Sequence, residues 1–266
     1  MKIALVGDVH GDLSGLADML ATAESRFGIA AAIQVGDLGF REDLLGAGVH
    51  WPRMPVPVHA LCGNHEDHAF LGRARSAGLW RHWAESGLVY QPRGSLAKMG
   101  GRMCGFLGGA MHVDRPQEPA NRPSTSEVKL ALQVFAAARP TVIVTHSCPP
   151  GIGIGMRASE QFARGVHDYV RRAGIDPGPA DDCGEPALER FWQALVTKPA
   201  LWVFGHFHVF HERMVGNTRF ICCPPLDLQD YLLVWDSESG DIHKCILNWQ
   251  INNRQPEYAG LAPTAP

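Results

Sequence analysis

Short apolar runs alternate with helical stretches along this chain. Lys2-Ile3-Ala4-Leu5-Val6 has the run of a buried strand, and Leu13, Leu16, Leu20, Ala23 and Phe27 then share one helical face over residues 13–27. Asp12 stands where the N-cap of that helix is needed. Ile33 and Val35 alternate ahead of Gly36-Asp37, and Val56, Val58 and Ala60 alternate ahead of Gly63. Residues 88–107, punctuated by Gly94, Gly100-Gly101 and then Gly108-Gly109, predict a hairpin region of two or three short strands.

A second helix is predicted from Ser124, where Glu127 three residues on completes a capping-box pattern. Val128, Ala131, Leu132 and Phe135 carry its buried face until Pro140 stops it. The β-branched run Thr141 to Thr145 reads as a central strand ending at His146. Pro186 opens a helix with Leu188, Phe191, Trp192 and Leu195 on one face, and Leu201 to Phe204 is the strand that delivers His206. Residues 207–248 read as mostly strand. The Gly- and Pro-rich residues 148–185 are expected to form a long loop with one embedded helix around residues 159–173. This pattern predicts an α/β fold of layers with mixed sheets, with residues 1–251 as one domain and 252–266 as a disordered tail.

Composition narrows the classes. Of 266 residues, 45% are hydrophobic and 19% charged, enough for a substantial core, and the formal charge of -3 gives no bulk attraction to nucleic acid or anionic membrane. No run approaches the ~18 apolar residues that span a bilayer, and the N-terminal run is too short for a secretory signal, so a cytoplasmic protein is expected. The cysteines Cys62, Cys104, Cys148, Cys183, Cys222, Cys223 and Cys245 show no Cys-x-x-Cys spacing. They read as buried or free thiols of a reducing compartment.

The candidate chemistry lies in five clusters: Asp8-Val9-His10, Gly36-Asp37, Gly63-Asn64-His65-Glu66, His146, and Gly205-His206-Phe207-His208. Most of them fall just after a predicted strand, where open α/β sheets place their sites. Asp8 and His10, like His206 and His208, are two apart, so in extended chain each pair can reach one ion. Any one cluster alone would be an ordinary turn, loop or surface histidine. All five together supply oxygen and imidazole donors suited to divalent Mn, Fe, Zn or Ni.

The ordered set resembles the calcineurin-like metallophosphoesterase superfamily over residues 1 to about 225. The resemblance implies two mixed β-sheets sandwiched between helices, a four-layer α/β/β/α arrangement with a dinuclear metal site at the strand C-terminal ends. By the same likeness one metal takes Asp8, His10, Asp37 and His208, and the second takes Asp37, Asn64, His146 and His206. Two divalent ions bring four positive charges and the two carboxylates return two, which favours a phosphate and a bridging hydroxide as nucleophile. His65 would assist the leaving group, and Glu66 reads as a structural hydrogen-bond acceptor.

Some positions depart from the protein serine/threonine phosphatase branch, which reads Gly-Asp-x-Val-Asp-Arg-Gly where this chain has Gly36-Asp37-Leu38-Gly39-Phe40-Arg41-Glu42. Arg41 occupies the phosphate-binding arginine's place. Phe40, however, replaces the carboxylate that supports the histidine, and Cys62 stands where an arginine would precede Gly-Asn-His-Glu. The double-histidine ending instead resembles bacterial phosphoesterases of small or nucleotide-like substrates. The expected function is therefore metal-dependent hydrolysis of phosphomonoesters or phosphodiesters. Protein phosphatase, nuclease and non-catalytic scaffold are the alternatives. Further substrate contacts are sought at His112 and Arg115, although Gly108-Gly109-Ala110-Met111-His112 also reads as a surface hairpin end, and among Arg157, Arg164, Arg171 and Arg172.

Overall fold

A computed structural model describes residues 1–112, 118–152, 183–228 and 230–247, together with Arg171 and Gly174. The expected helix at 159–173, most of the long loop, Arg115, Arg157, Arg164, Arg172 and the C-terminal tail lie outside the described residues.

The described strands form two six-stranded mixed sheets. The first is built from β1 (Lys2–Val6), β2 (Ala31–Gln34), β3 (Val58–Ala60), β4 (Leu88–Tyr90), β11 (Tyr231–Asp236) and β12 (Ile242–Ile246), in the order β12-β11-β1-β2-β3-β4. The second is built from β5 (Ser95–Met99), β6 (Arg102–Leu107), β7 (Val142–Thr145), β8 (Leu201–Phe204), β9 (His211–Val215) and β10 (Thr218–Cys222), in the order β5-β6-β7-β8-β10-β9. In each sheet four neighbouring strands run parallel: β1-β2-β3-β4 in the first, β6-β7-β8-β10 in the second. Antiparallel partners complete the edges.

Strand alternation assembles the layers. In β1, Ile3 and Leu5 join Ile33, Val142, Val144, Val203 and Leu233 in the core between the sheets, while Ala4 and Val6 face the helices α1 (Leu13–Phe27), α3 (His68–Ser76) and α4 (Leu79–Glu85). On the far side, Ile143, Trp202, Phe204 and Phe220 pack against α5 (Thr125–Ala138) and α6 (Pro186–Ala194). Three apolar cores separate four layers, helix, sheet, sheet, helix, as the α/β/β/α expectation requires.

Local signals set the helix ends. Asp12 caps α1 through the Gly15 N–H, Gly28 ends that helix in a left-handed conformation, and Ser124 with Glu127 forms a full capping box on α5. Leu132 is only half-buried on α5, whereas Val128, Ala131 and Phe135 are buried. Between Gly39 and Gly87 the chain adds the short α2 (Glu42–Leu45) and then α3 and α4, which no expectation covered. The 88–107 region also divides: β4 completes the first sheet, and only β5 and β6 form the hairpin, in the second.

At the end of β2, wholly buried Gln34 binds across to the loop after β1. Its Nε2 donates to Gly7 O at 3.0 Å and Gly36 O at 2.5 Å, and its Oε1 accepts the Gly36 N–H at 3.1 Å. Replacing it by Leu strands three buried backbone groups, each costing ~1–3 kcal/mol. Gln34→Leu should therefore lower the urea midpoint of unfolding markedly with little change in slope; an unchanged midpoint would remove Gln34 as the latch.

Candidate metal centre

The C-terminal ends of parallel strands from both sheets point to one place. Asp8 and His10 follow β1, Asp37 follows β2, Asn64 and His65 follow β3, His146 follows β7, and His206 and His208 follow β8. The segments interlock by backbone hydrogen bonds: Asp37 O accepts the N–H groups of Val9 (2.9 Å) and His10 (2.8 Å), and Gly205 N donates to His146 O at 2.9 Å. Asp8 Oδ1 accepts the His206 N–H at 3.0 Å, and Asp37 Oδ1 accepts the His65 N–H at 2.9 Å. Each carboxylate is thus fixed by one oxygen, while the other faces the imidazoles.

Two groups of side chains crowd those free oxygens. His208 Nε2 lies 3.0 Å from Asp8 Oδ2 and 3.0 Å from His10 Nε2, which is itself 3.9 Å from that oxygen. Asp8 Oδ2 is buried, yet these approaches leave it without a hydrogen bond of good geometry. Around the second carboxylate, His146 Nε2 lies 3.3 Å from Asp37 Oδ2 and 2.9 Å from Asn64 Oδ1. The ligating atoms of Asp8, His10 and His208, and those of Asp8, Asp37 and His146, all fall within 4.8 Å of one another. The His206 ring sits 5.0 Å from that of His146. Carboxylate and imidazole donors grouped in this way, with Asn64 Oδ1 beside His146, are what one or two divalent cations need, so the residues present fit such ions.

The tautomer of His146 follows from its neighbour. Val35 O can only accept, so Nδ1 donates to it at 2.8 Å and Nε2 is the atom presented to Asp37 and Asn64. This bond also ties the end of β7 to the loop after β2.

Electrostatics point the same way. Burial alone would raise both carboxyls, but His208 and His146 outweigh it, holding Asp8 below the ordinary carboxylate range and Asp37 well below. Burial disfavours the charged form of His146, yet Asp37 and then Asp8 push it up to about 10. Burial, aided by the His146 charge, pushes His206 down to about 3, leaving it a neutral donor at physiological pH. Cation binding at this centre should therefore displace a proton from His146.

Backbone strain and missing side chains shape the cradle. Among the described residues, five non-glycine residues have positive φ, and four belong here: His10 (52°), Asp37 (55°), His206 (71°) and His208 (53°). Such conformations cost roughly 1–2 kcal/mol each and cluster at functional sites. A Cβ on Gly63 would lie 2.1 Å from Asp37 Oδ1, and one on Gly205 would lie 2.5 Å from Asp8 Oδ1. The glycines ahead of Asn64 and His206 therefore leave room for the carboxylates.

The surroundings resolve the remaining expectations. Glu66 is buried and accepts the Gly63 N–H at 2.5 Å and the Gly39 N–H at 3.3 Å, fitting a structural acceptor; burial and the nearby Asp37 charge push its carboxyl up to about 8. Phe40 turns wholly into the core against Trp83 and Tyr90, with ring centroids 5.3 and 4.9 Å away. Cys62 is buried, its thiol raised by burial, and its carbonyl accepts the Gly109 N–H at 2.7 Å. Arg41 lies at the exposed start of α2, where it pairs with Asp43 at 3.2 Å, and a Cβ on Gly11 would be 3.9 Å from its Nη2. His112 is no surface hairpin end: it is buried, with its ring 4.4 Å from that of His65. Arg171, the one arginine of the irregular region that is described, is exposed.

Sequence reasoning passed over Arg93, which is half-buried after β4. Its guanidinium holds Gly108 O (3.0 Å), Arg122 O (2.8 Å) and Ala120 O (2.7 Å), and pairs with Glu127 at 3.2 Å. Only its place between Pro92 and Gly94 at a strand end hinted at this role.

A family model described as calcineurin-like phosphoesterase matches residues 1–210. No curated protein sequence matches the chain. Among solved structures, TT1561 of Thermus thermophilus superposes with a TM-score of 0.55 at 12% identity, over 92% of this chain and 98% of that one. A putative 5'-nucleotidase from Staphylococcus aureus, in complex with alpha-ketoglutarate, gives a TM-score of 0.50 at 13% identity, over 96% of this chain and 56% of that one. At such identities the likeness is one of fold.

Gly205→Ala tests the cradle, since the added methyl group meets Asp8 Oδ1 without needing a left-handed backbone. It should weaken Mn²⁺ binding roughly 10–100-fold, the usual effect of disturbing a ligand's support, with circular dichroism unchanged. Wild-type affinity by titration calorimetry would refute the steric reading.

Proposed function

The chain belongs to the calcineurin-like phosphoesterase family, and on that basis we propose a dinuclear centre that hydrolyses small or nucleotide-like phosphate mono- or diesters. The observation that carries this is two donor groups that share Asp8: a buried one with Asp37 and His146, and a more open one with His10 and His208. In this reading Asp8, His10 and His208 would hold one ion, Asn64, His146 and His206 would hold the other, and Asp37 would serve both. The donor set holds no thiolate and suits Mn, Fe, Zn or Ni. Bound there, such ions supply Lewis-acid polarisation of the phosphoryl group and a hydroxide nucleophile near neutral pH.

The chain's own residues do the rest. Asp8 and Asp37 each keep one oxygen on a backbone N–H, so neither swings when the other oxygen is engaged. His146, fixed through Val35 O, keeps Nε2 inward. His65 stands at the mouth with its side chain 48% exposed and Nε2 4.0 Å from Asp37 Oδ2, placed to offer its N–H to the departing oxygen. Arg41 at the rim pairs with Asp43 in the open, an interaction weak enough to be exchanged for a substrate phosphate. No helix among the described residues is long and apolar enough to cross a membrane.

Metal analysis of the purified protein should find two ions per chain, and the Mn²⁺-loaded protein should cleave nitrophenyl phosphate or its diester. Asp37→Asn should reduce turnover to background and lower the metal content. Two ions per chain with no hydrolysis of any mono- or diester would sink the hydrolase and leave a metal-binding scaffold. A separate measurement addresses Arg41: losing one charge-assisted contact of about 1.5 kcal/mol should raise KM about tenfold in Arg41→Ala with kcat little altered. An unchanged KM removes it from the substrate site.

A further inference from the structure

The His65 side chain carries no hydrogen bond on its ring among the described residues. Its backbone N–H is tied to Asp37, but the half-exposed ring touches that carboxylate only at 4.0 Å. What limits its rotation is contact with two other rings. His10 meets it edge-on at 5.3 Å, and His10 is itself engaged with His208 at 3.0 Å. His112 meets it at 4.4 Å with the ring planes inclined by 51°.

His112 is well suited to act as the fixed member of that pair. It is 7% exposed, and the segment after β6 that carries it is anchored along its length. Arg93 Nε donates to Gly108 O at 3.0 Å, the Gly109 N–H donates to Cys62 O at 2.7 Å, and the Met111 N–H donates to Glu185 Oε2 at 3.1 Å. Gly109 itself has φ of 100°, and a Cβ there would lie 2.5 Å from Asn121 O, so the segment is packed without slack. Glu185 is buried in turn, with Arg122 Nε 3.7 Å away. None of these anchors belongs to the cluster of candidate metal ligands. His112 thus reaches the mouth of the centre from β6 of the second sheet, opposite the β3 loop that carries His65.

We infer that His112 is a positioning residue, whose fixed ring packs against His65 and holds its N–H toward the leaving-group oxygen. The inference rests on the hydrolase reading above for its consequence, and on the ring contact for its geometry. It acts through His65 and touches no reacting atom. Its effect should therefore scale with how much the leaving group needs a proton, which a general loss of structure would not produce.

The test uses the full-length, Mn²⁺-loaded protein with phenyl phosphate and nitrophenyl phosphate, which differ in leaving-group basicity. General-acid assistance is worth about 10²–10⁴-fold in full. His112→Ala should lower kcat on the phenyl ester by about tenfold or more, change the nitrophenyl rate by less than about threefold, and leave KM alone. His112→Phe keeps a ring against His65 and should restore most of the loss. In a His65→Ala background, His112→Ala should add nothing. Equal losses on both esters, a rise in KM alone, or additive effects with His65→Ala would each overturn the inference. An activity-free readout, taken on full-length protein loaded with diamagnetic Zn²⁺ in place of Mn²⁺, separates it from the hydrolase reading: the His65 ring Cε1–H resonance should shift and broaden in His112→Ala and stay sharp in His112→Phe. An unmoved resonance in His112→Ala refutes the contact even in an active enzyme. The expected resonances in a protein that cleaves no ester would uphold the contact and refute the hydrolase.

Discussion

Two carboxylates, Asp8 and Asp37, are buried beside each other with 1% and 2% exposure, and the rest of the molecule answers to that constraint. Buried carboxylates repel one another and lose their hydration, so they persist only with positive charge or donors close by. The fold supplies backbone N–H groups to one oxygen of each and imidazoles to the other. His146, pushed up to about 10 by Asp37 and then Asp8, supplies part of the compensating charge. Divalent cations would do so more completely, since several lone pairs already face inward. The same arrangement that balances two buried carboxylates thus suits the centre to divalent cations.

That arrangement depends on close approach between two sheets. Within the first sheet Gln34 joins the ends of β1 and β2; across the sheets His146 joins the end of β7 to Val35, and Asp8 receives the N–H of His206 after β8. Glycines at 63 and 205 leave the space the carboxylates occupy, and four of the candidate ligand residues hold left-handed backbone. Local strain of this kind survives because strands on both sides over-determine it. The centre is accordingly buried at Asp8, Asp37, Asn64 and His146 and open at the mouth, where His65 and His208 are exposed.

The mouth is also where this chain departs from the phosphatase-like pattern. Phe40 fills core space with Trp83 and Tyr90, so no carboxylate from that position can support His65. Cys62, in place of an arginine, is buried and supports Gly109 through its carbonyl. Arg93 arrives from the next strand and fixes the segment bearing His112. At these two positions the side chains are buried in the core instead of facing the mouth.

The linear pattern was enough for much of this. Alternation and capping residues located β1, α1, α5, β7 and β8 because each is determined by neighbours within a few residues. The five clusters, most of them directly after a strand, named the candidate donors. It was not enough for α2 to α4, whose short, half-exposed stretches lack a strong period, nor for the division of β4 from the β5–β6 hairpin. A strand's own residues are the same whichever sheet it joins. His112 read as a surface turn, and Arg93 went unnoticed, since both owe their roles to segments distant in sequence. Which donors exist, and that they end strands, could be read from the chain alone, because side-chain chemistry and short-range periodicity are local. That strand ends of two sheets meet, which lone pairs face inward and what stands beside His65 came from the folded arrangement. Those depend on packing between layers, and no local pattern records it.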